Sequence, residues 1–146
     1  MKPRRFVKAL DEAKIVAAIR EAEGRSRGEI RVHVASGRVE DAQAAAAAVF
    51  DRLGMARTED RNGVLLFVAP ASQTFAVIGD RGINERCAEG LWAEVAAAMR
   101  EEFKEGRYTE GILGAVARMG NELARYFPRS PGVVDRNELP DAVSRD

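Results

Sequence analysis

The sequence predicts an α/β protein, a three-layer α/β/α sandwich around a small mixed sheet. Apolar positions follow the order α-β-α-β-β-α-α along the chain. The segment GVLLFVAP, residues 63–70, is continuously apolar, as in a strand covered on both faces. Only the short connection ASQ separates it from TFAVIG, which predicts an antiparallel hairpin. The first two strands are instead joined through a helix, which predicts a parallel pair with a right-handed crossover.

The helices are predicted from apolar residues at helical spacing and from capping residues. Asp11 is expected to cap the first helix, and the second covers EDAQAAAAAVFDRLG, whose small residues would lie close to the sheet. Asn84 is expected to cap a third helix over 85–104, and Thr109 a fourth that Pro128 ends. These helices would cover both faces of the sheet.

The first strand, GEIRVHVA, alternates apolar and polar residues. This alternation predicts one well-buried face and a position near a sheet edge, with His33 on the side opposite the apolar residues. We expect one domain over residues 1–128. The tail over 129–146 lacks helical or strand periodicity, so we expect it to be irregular.

Composition narrows the function classes. The 146 residues carry 23 Lys plus Arg and 23 Asp plus Glu, so the formal net charge is zero. A broad nucleic-acid surface needs an excess of positive charge, so we expect no nucleic-acid partner. The first residues lack the apolar run of a signal peptide, and no window is apolar enough to span a membrane. We therefore expect a soluble, cytoplasmic protein. We also expect it to be a monomer.

The strand order brings three polar segments together. The first two strands are parallel, so their starts lie at the same end of the sheet, and the third strand runs back and finishes there. Glu29 starts the first strand, Asp60–Asn62 precede the second, and Asp80–Gly82 follow the third. These segments are therefore expected to converge at one end of the sheet.

Two chemistries suit these residues. Carboxylate and amide oxygens suit a hard cation such as Ca²⁺ or Mg²⁺, and the predicted metal ligands are Glu29, Asp60, Asn62 and Asp80. Arg61 and Arg81 suit a phosphate group. With a metal as Lewis acid, Asp80, Arg81 and Arg61 are the candidate catalytic residues of a phosphoryl reaction. Alternatively, Asp80 caps the next helix and pairs with Arg61 in a purely structural turn.

The opposite end of the sheet is a rival site, since open α/β sheets usually bind ligands beyond the carboxyl ends of their parallel strands. The polar or small residues available there are Ser36, Gly37, Asp41, Ser72 and Gln73. The tail acids Asp135, Glu138 and Asp141 are either solvated or, if the tail folds back, further oxygen ligands.

Three single residues have functional and structural interpretations. His33 is the only histidine, and without cysteine partners it cannot form a common zinc site, so a structural or solvent-facing role is expected. Cys87 lies near a predicted helix start, where a thiol pKa is often lowered. Trp92 belongs to an apolar helical stripe and is expected in the core.

The segments SRGEIRVHV, RNGVLLFVAP, FAVIGDRGI and DRNELPD resemble the TPM domain family. The resemblance runs from about Asp11 to Asp141. It implies an α/β/α sandwich, calcium binding in some members, acid phosphatase activity in a plant branch, and accessory roles in membrane-complex repair or receptor function. The positions that the resemblance singles out are Glu29, Arg61, Asn62, Asp80, Arg81 and Gly82. Many members also carry a signal peptide and a membrane helix, for which this sequence has no matching pattern.

Three functions follow as hypotheses. The first is a divalent-cation-binding accessory or regulatory domain, with Ca²⁺ favoured over Mg²⁺. The second is a metal-dependent acid phosphatase, a phosphomonoesterase, that uses the same cluster. The third is an interaction module that binds a protein partner, such as a membrane-associated complex, through its helices or its tail.

Overall fold

The computed structural model describes residues 2–129 and 143–146. Within them, six helices and four strands follow in chain order, together with two 3₁₀ turns at Met55–Arg57 and Pro70–Ser72. The helices and strands are α1 Pro3–Ala9, α2 Glu12–Gly24, β1 Glu29–Val34, α3 Ala42–Arg52, β2 Gly63–Ala69, β3 Thr74–Gly79, α4 Arg81–Asn84, α5 Leu91–Lys104, α6 Tyr108–Tyr126 and β4 Ser144–Arg145.

The strands form one mixed sheet in the order β3-β2-β1-β4. β1 and β2 are parallel, with Glu29 opposite Gly63, and β2 and β3 are antiparallel, with Val64 opposite Gly79. The predicted parallel pair and hairpin are therefore confirmed. The expected position of β1 near a sheet edge is confirmed, because only the two-residue β4 lies outside it, with Ser144 opposite His33.

The tail was expected to be irregular, but its residues Ser144–Arg145 form a short strand that joins the sheet. Residues 130–142 lie outside the described part of the chain. The predicted tail ligands Asp135, Glu138 and Asp141 fall in that range.

Helices cover both faces of the sheet, as the apolar β2 predicts. All seven residues of β2 are buried. Val64, Leu66 and Val68 join a larger core with α2, α5 and α6, whereas Leu65 and Phe67 join a smaller core beneath α3. This alternation within one apolar strand makes β2 the middle of a three-layer α/β/α sandwich.

Of the two predicted helix caps at Asp11 and Thr109, the structure confirms the first and contradicts the second. Asp11 caps α2 as expected, because its Oδ1 accepts a hydrogen bond from the Lys14 amide at 3.2 Å. The predicted cap at Thr109 is wrong: α6 begins at Tyr108, and no side chain caps it. The Thr109 hydroxyl oxygen instead accepts from the Asp11 amide at 3.0 Å, so it ties α6 to the start of α2.

The predicted helix over 85–104 is wrong in its first turns. The chain forms the short α4 after Asp80, and α5 begins only at Leu91, after Gly90 in a left-handed conformation at φ 85°. Asn84 therefore does not cap a long helix. Its amide group donates to the Gly79 carbonyl at 2.7 Å, and its oxygen accepts from the Trp92 indole at 2.8 Å. Gly90 permits the break between the two helices, because glycine adopts positive φ without steric cost.

Gly82 is predicted to tolerate no side chain. A Cβ at this position would overlap the Asp60 carbonyl oxygen and lie 2.6 Å from the Arg61 carbonyl oxygen, which are backbone atoms. We expect Gly82→Ala to lower the free energy of unfolding by about 3 kcal/mol, measured by urea denaturation.

The matched control is Gly114→Ala on α6, where an added Cβ meets nothing within 4 Å. That variant should be more stable than the wild type by about 0.5–1 kcal/mol, because alanine favours a helix. Equal stability of Gly82→Ala and the wild type would contradict the close approach.

Candidate functional site

The three predicted polar segments meet at one end of the sheet. Glu29 opens β1 opposite Gly63, the first residue of β2. Asp80 follows β3, and its amide donates to the Gly63 carbonyl at 2.9 Å. The Gly82 amide donates to the Arg61 carbonyl at 2.8 Å, so the turn before β2 and the turn after β3 are hydrogen-bonded to each other.

Asp80 and Arg61 form a bidentate ion pair in this end of the sheet. The Arg61 Nε lies 2.7 Å from Asp80 Oδ2, and Nη2 lies 3.0 Å from Oδ1. The Asp80 side chain is 6% exposed and that of Arg61 is 35% exposed. Asp80 Oδ1 also accepts from the Arg81 amide at 2.8 Å, and this bond caps α4. The hydrogen bond to Asp80 raises the pKa of the Arg61 guanidinium, so its charge is secure.

Arg61 has an uncommon backbone conformation. Its φ of 51° lies in the left-handed region, which costs a residue with a Cβ about 1–2 kcal/mol. The hydrogen bond from Gly82 and one from the Arg61 amide to the Thr58 carbonyl, at 3.2 Å, hold it there. The left-handed backbone lowers the stability of the fold but directs the Arg61 side chain at Asp80. Residues with such strained backbones concentrate at functional sites.

Asp60 also has an arginine partner, which the sequence did not indicate. Arg27 Nη1 lies 3.2 Å from Asp60 Oδ2, with both side chains partly exposed. The Arg27 amide donates to the Phe127 carbonyl, and this bond holds the loop before β1 against the end of α6. Arg27 lies in SRGE, just before the start of β1, and this position places it at the polar end. No local sequence pattern identifies Asp60 as its partner.

Asn62 is the buried amide of this site, at 1% exposure. The side-chain Nδ2 of Asn62 donates to the Arg27 carbonyl at 3.1 Å, and its backbone N–H donates to the Thr58 hydroxyl oxygen at 3.2 Å. The bond to a carbonyl fixes which end of the side chain is nitrogen. The other end, Oδ1, is buried and accepts no hydrogen bond from the described residues. A buried acceptor without a donor is rare and requires an explanation.

Carboxylates and arginines are paired at this polar end of the sheet. Within residues 2–129 and 143–146, no group of three or more His, Cys, Asp or Glu side chains is arranged to hold a metal ion. The acids of the three polar segments are Glu29, Asp60 and Asp80. The arginines at this end are Arg27, Arg61, Arg81 and also Arg86, whose Nη1 donates to the Gly82 carbonyl at 2.8 Å. Two of the three carboxylates, those of Asp60 and Asp80, are paired with guanidinium groups.

The rival end of the sheet is occupied by structural hydrogen bonds. The Ser36 amide donates to Asp146 Oδ2 at 2.9 Å, Asp41 caps α3 by accepting from Ala44, and the Ser72 hydroxyl oxygen accepts from the Val39 amide at 3.0 Å. These three residues therefore have roles in the fold. Gly37 and Gln73 are both exposed.

His33 has a structural role, one of the two interpretations open from the sequence. It is 1% exposed, its Nδ1 lies 2.8 Å from the Ser144 hydroxyl, and its Nε2 lies 2.7 Å from Asp146 Oδ1. Arg52 Nη2 lies 3.1 Å from the same Asp146 oxygen. Burial alone would raise the pKa of Asp146, but hydrogen bonds with Ser36, His33 and Arg52 hold it below its ordinary value.

The structure contradicts the expectation for Cys87 and agrees with that for Trp92. The expected lowering of the thiol pKa is wrong: burial and the nearby Glu122 carboxylate raise the pKa of Cys87 to about 11. No long helix begins beside it, because α5 starts at Leu91. Trp92 is half-buried and packs against the larger core, and its indole bonds to Asn84 as described above.

This architecture defines an α/β/α sandwich domain with arginine–carboxylate pairs at the polar end of its sheet. The sequence model of the TPM domain family matches residues 2–122, and the chain belongs to this family. The chain is similar to the BA42 protein of the psychrophilic bacterium Bizionia argentinensis, known from an NMR structure. Identity is 38%, coverage is 92% of each chain, and the TM-score is 0.83. No curated protein matches. Among the described residues, no helix has the length and apolar character to cross a membrane.

The docking of β4 is predicted to weaken in acid. Because the folded pKa of Asp146 is lowered, its pairing stabilises the docked state fully above the ordinary carboxyl pKa. That stabilisation is lost as the pH falls through the lower folded pKa. We expect the Ser36 amide, which donates to Asp146, to lose hydrogen-exchange protection as the pH falls below the ordinary carboxyl pKa of about 4.

The Leu66 amide in the buried β2 serves as the reference for global unfolding in this experiment. Asp146→Asn should leave Ser36 poorly protected throughout the pH range, whereas Asp51→Asn, an exposed acid on α3, should behave like the wild type. Protection of Ser36 that follows Leu66 at every pH would contradict a locally titrating contact.

Proposed function

We propose that this TPM-domain chain is a divalent-cation-binding accessory or regulatory protein, with its site at Glu29, Asp60, Asn62 and Asp80. The buried Oδ1 of Asn62 carries the proposal, because it accepts no hydrogen bond from the described residues and lies in the segment that also contributes the Asp60 carboxylate. A hard cation is a suitable partner for such an oxygen. The proposed ligands, three carboxylates and an amide, contribute oxygen atoms alone. Because the described residues contain no preformed cluster of three acids, the ion would have to draw these side chains together.

Binding of a cation would compete with the two guanidinium groups. Arg27 already pairs with Asp60, and Arg61 already pairs with Asp80. A cation that takes Asp80 must therefore displace Arg61 in part, and this couples ion binding to the strained turn and to the cap of α4. The competition supports a weak site, with a dissociation constant of about 0.1–1 mM.

Calcium suits this arrangement better than magnesium. Ca²⁺ accepts a variable number of protein oxygens in flexible geometry, whereas Mg²⁺ demands a near-ideal octahedron and retains several waters. The side chains of this site come from three separate segments, located at the start of β1, just before β2 and just after β3. An irregular set of this kind favours the larger ion.

The test is an NMR titration of the wild type with CaCl₂ and, separately, MgCl₂. We expect saturable shifts with calcium at residues around Asp80, and an affinity about 10-fold lower in Asp80→Asn, since asparagine still caps a helix but lacks the charge. Arg61→Gln should bind calcium more tightly, because it removes the competing cation.

The matched control is Asp41→Asn, the same change at the cap of α3 on the opposite end of the sheet. It should bind calcium as the wild type does. The proposal is wrong if the wild type shows no saturable shift at millimolar calcium, or if Asp80→Asn binds with unchanged affinity.

Phosphomonoesterase activity is a second candidate, and Arg81 is the observation that favours it. Arg81 is exposed on α4, beside the paired acids, and its guanidinium makes no ion pair within residues 2–129 and 143–146. A free guanidinium suits a phosphate oxygen pair. The Asp80 carboxylate is already bonded to Arg61, which makes a metal-holding role for Asp80 more consistent with the geometry than a nucleophilic one.

A chromogenic phosphate ester tests this activity in the presence of Ca²⁺ or Mg²⁺. If the domain is a phosphatase, Arg81→Gln should lower kcat/KM by about 100-fold, the effect of removing one charge-stabilising donor. Arg4→Gln, at an exposed arginine on α1, should have no effect. Hydrolysis that is equal in the wild type and Arg81→Gln would identify a contaminant.

A further inference from the structure

A pocket lies at the other end of β2, beside the rival end of the sheet, and Gln73 is part of its lining. The pocket, of about 430 Å³, opens where α1, α5 and the start of α6 meet the β2–β3 hairpin. Val68 and Ala69, the last residues of β2, form part of its lining. The pocket therefore lies beyond the carboxyl end of a parallel strand, where open α/β sheets usually bind ligands, and its volume is in the range of small-molecule sites.

Aromatic rings form one wall of this pocket. The Phe6 ring lies 5.8 Å from Phe103 and 5.1 Å from Tyr108, measured between centroids. Phe75 meets Phe103 edge to face at 5.5 Å, and all four rings line the pocket. Edge and face contacts of this kind favour a further flat ring over an aliphatic chain.

Positive charge lies on the rim. Arg100 and Lys104, four residues apart and so on the same side of α5, both line the pocket, and its lining includes no carboxylate. Lys104 is 3.3 Å from Glu101 in an exposed pair. Arg100 makes no ion pair with any residue that the structure describes, and its guanidinium carbon lies 5.3 Å from the centroid of Phe75. The guanidinium therefore remains available to an anion.

We propose that this pocket binds a small aromatic carboxylate, with its ring against Phe75 and Phe103 and its carboxylate on Arg100. The planar guanidinium fork matches a carboxylate with two parallel hydrogen bonds. Lys104 adds a second positive charge without that geometry. The site is separate from the proposed cation site and depends on none of its residues.

Ligand binding should also order α1. Phe6 is the buried residue of this seven-residue helix and forms part of the pocket wall. An isolated helix of this length is marginal in water, so its packing through Phe6 decides whether it stays in place. A ligand in contact with Phe6 would add to that packing.

The test uses 2-naphthoate as the probe and its neutral counterpart, 2-naphthamide, each titrated into the whole chain by isothermal calorimetry. We expect naphthoate to bind at least 10-fold more tightly than the amide, and Arg100→Gln to remove that preference. Hydrogen exchange in α1 should slow when naphthoate is bound and stay unchanged with Arg100→Gln.

The matched control is Arg125→Gln. Arg125 is also an exposed arginine above an aromatic ring, 5.2 Å from the centroid of Tyr126, but it lies outside the pocket. It should bind naphthoate as the wild type does. Equal binding of naphthoate and naphthamide, unchanged affinity in Arg100→Gln, or no naphthoate binding to the wild type at millimolar concentration would each overturn the proposal.

Discussion

Burial of β2 on both faces is the constraint on which the rest of the structure depends. Its seven residues alternate between two cores, one beneath α2, α5 and α6 and one beneath α3. A strand buried in this way needs hydrogen-bonded neighbours on both edges and helices on both faces. β1 and β3 supply the edges, and the helix between β1 and β2 supplies the second face. Little polar chemistry remains for the middle of the sheet, so it is concentrated at the strand ends.

At the polar end, the fold matches carboxylates with guanidinium groups. Asp80 is nearly buried, and a carboxylate in that position is stable only with a partner and hydrogen bonds. Arg61 provides both, at the cost of a left-handed backbone. The resulting pair is compatible with a structural turn, and the strain at Arg61 is part of that pairing. The unsatisfied Asn62 oxygen is the feature that charge pairing does not explain.

Local patterns predicted the hairpin, the parallel pair and the convergence of the polar segments, because each follows from apolar runs and connection lengths. The missed features depend on contacts between distant segments. The third helix breaks after Asn84 because that side chain bonds to Gly79 and Trp92, and helical spacing alone does not reveal those bonds. β4 was missed because it has only two residues, and so short a strand has no periodicity. Likewise, the pocket unites Phe6 with Phe103, nearly a hundred residues apart.

The two proposed sites differ in electrostatic character, since one holds carboxylates paired with arginines and the other has a positive rim, and β2 separates them. Seven residues at about 3.3 Å each place its ends about 20 Å apart. A packed strand does not deform continuously, so the sheet is a poor carrier of coupling between its ends. A connection exists on the helical side, because Asp80 caps α4, the Asn84–Trp92 hydrogen bond joins α4 to α5, and α5 carries Arg100 into the pocket. Displacement of Arg61 by a cation would act on the first link of that series, the cap of α4.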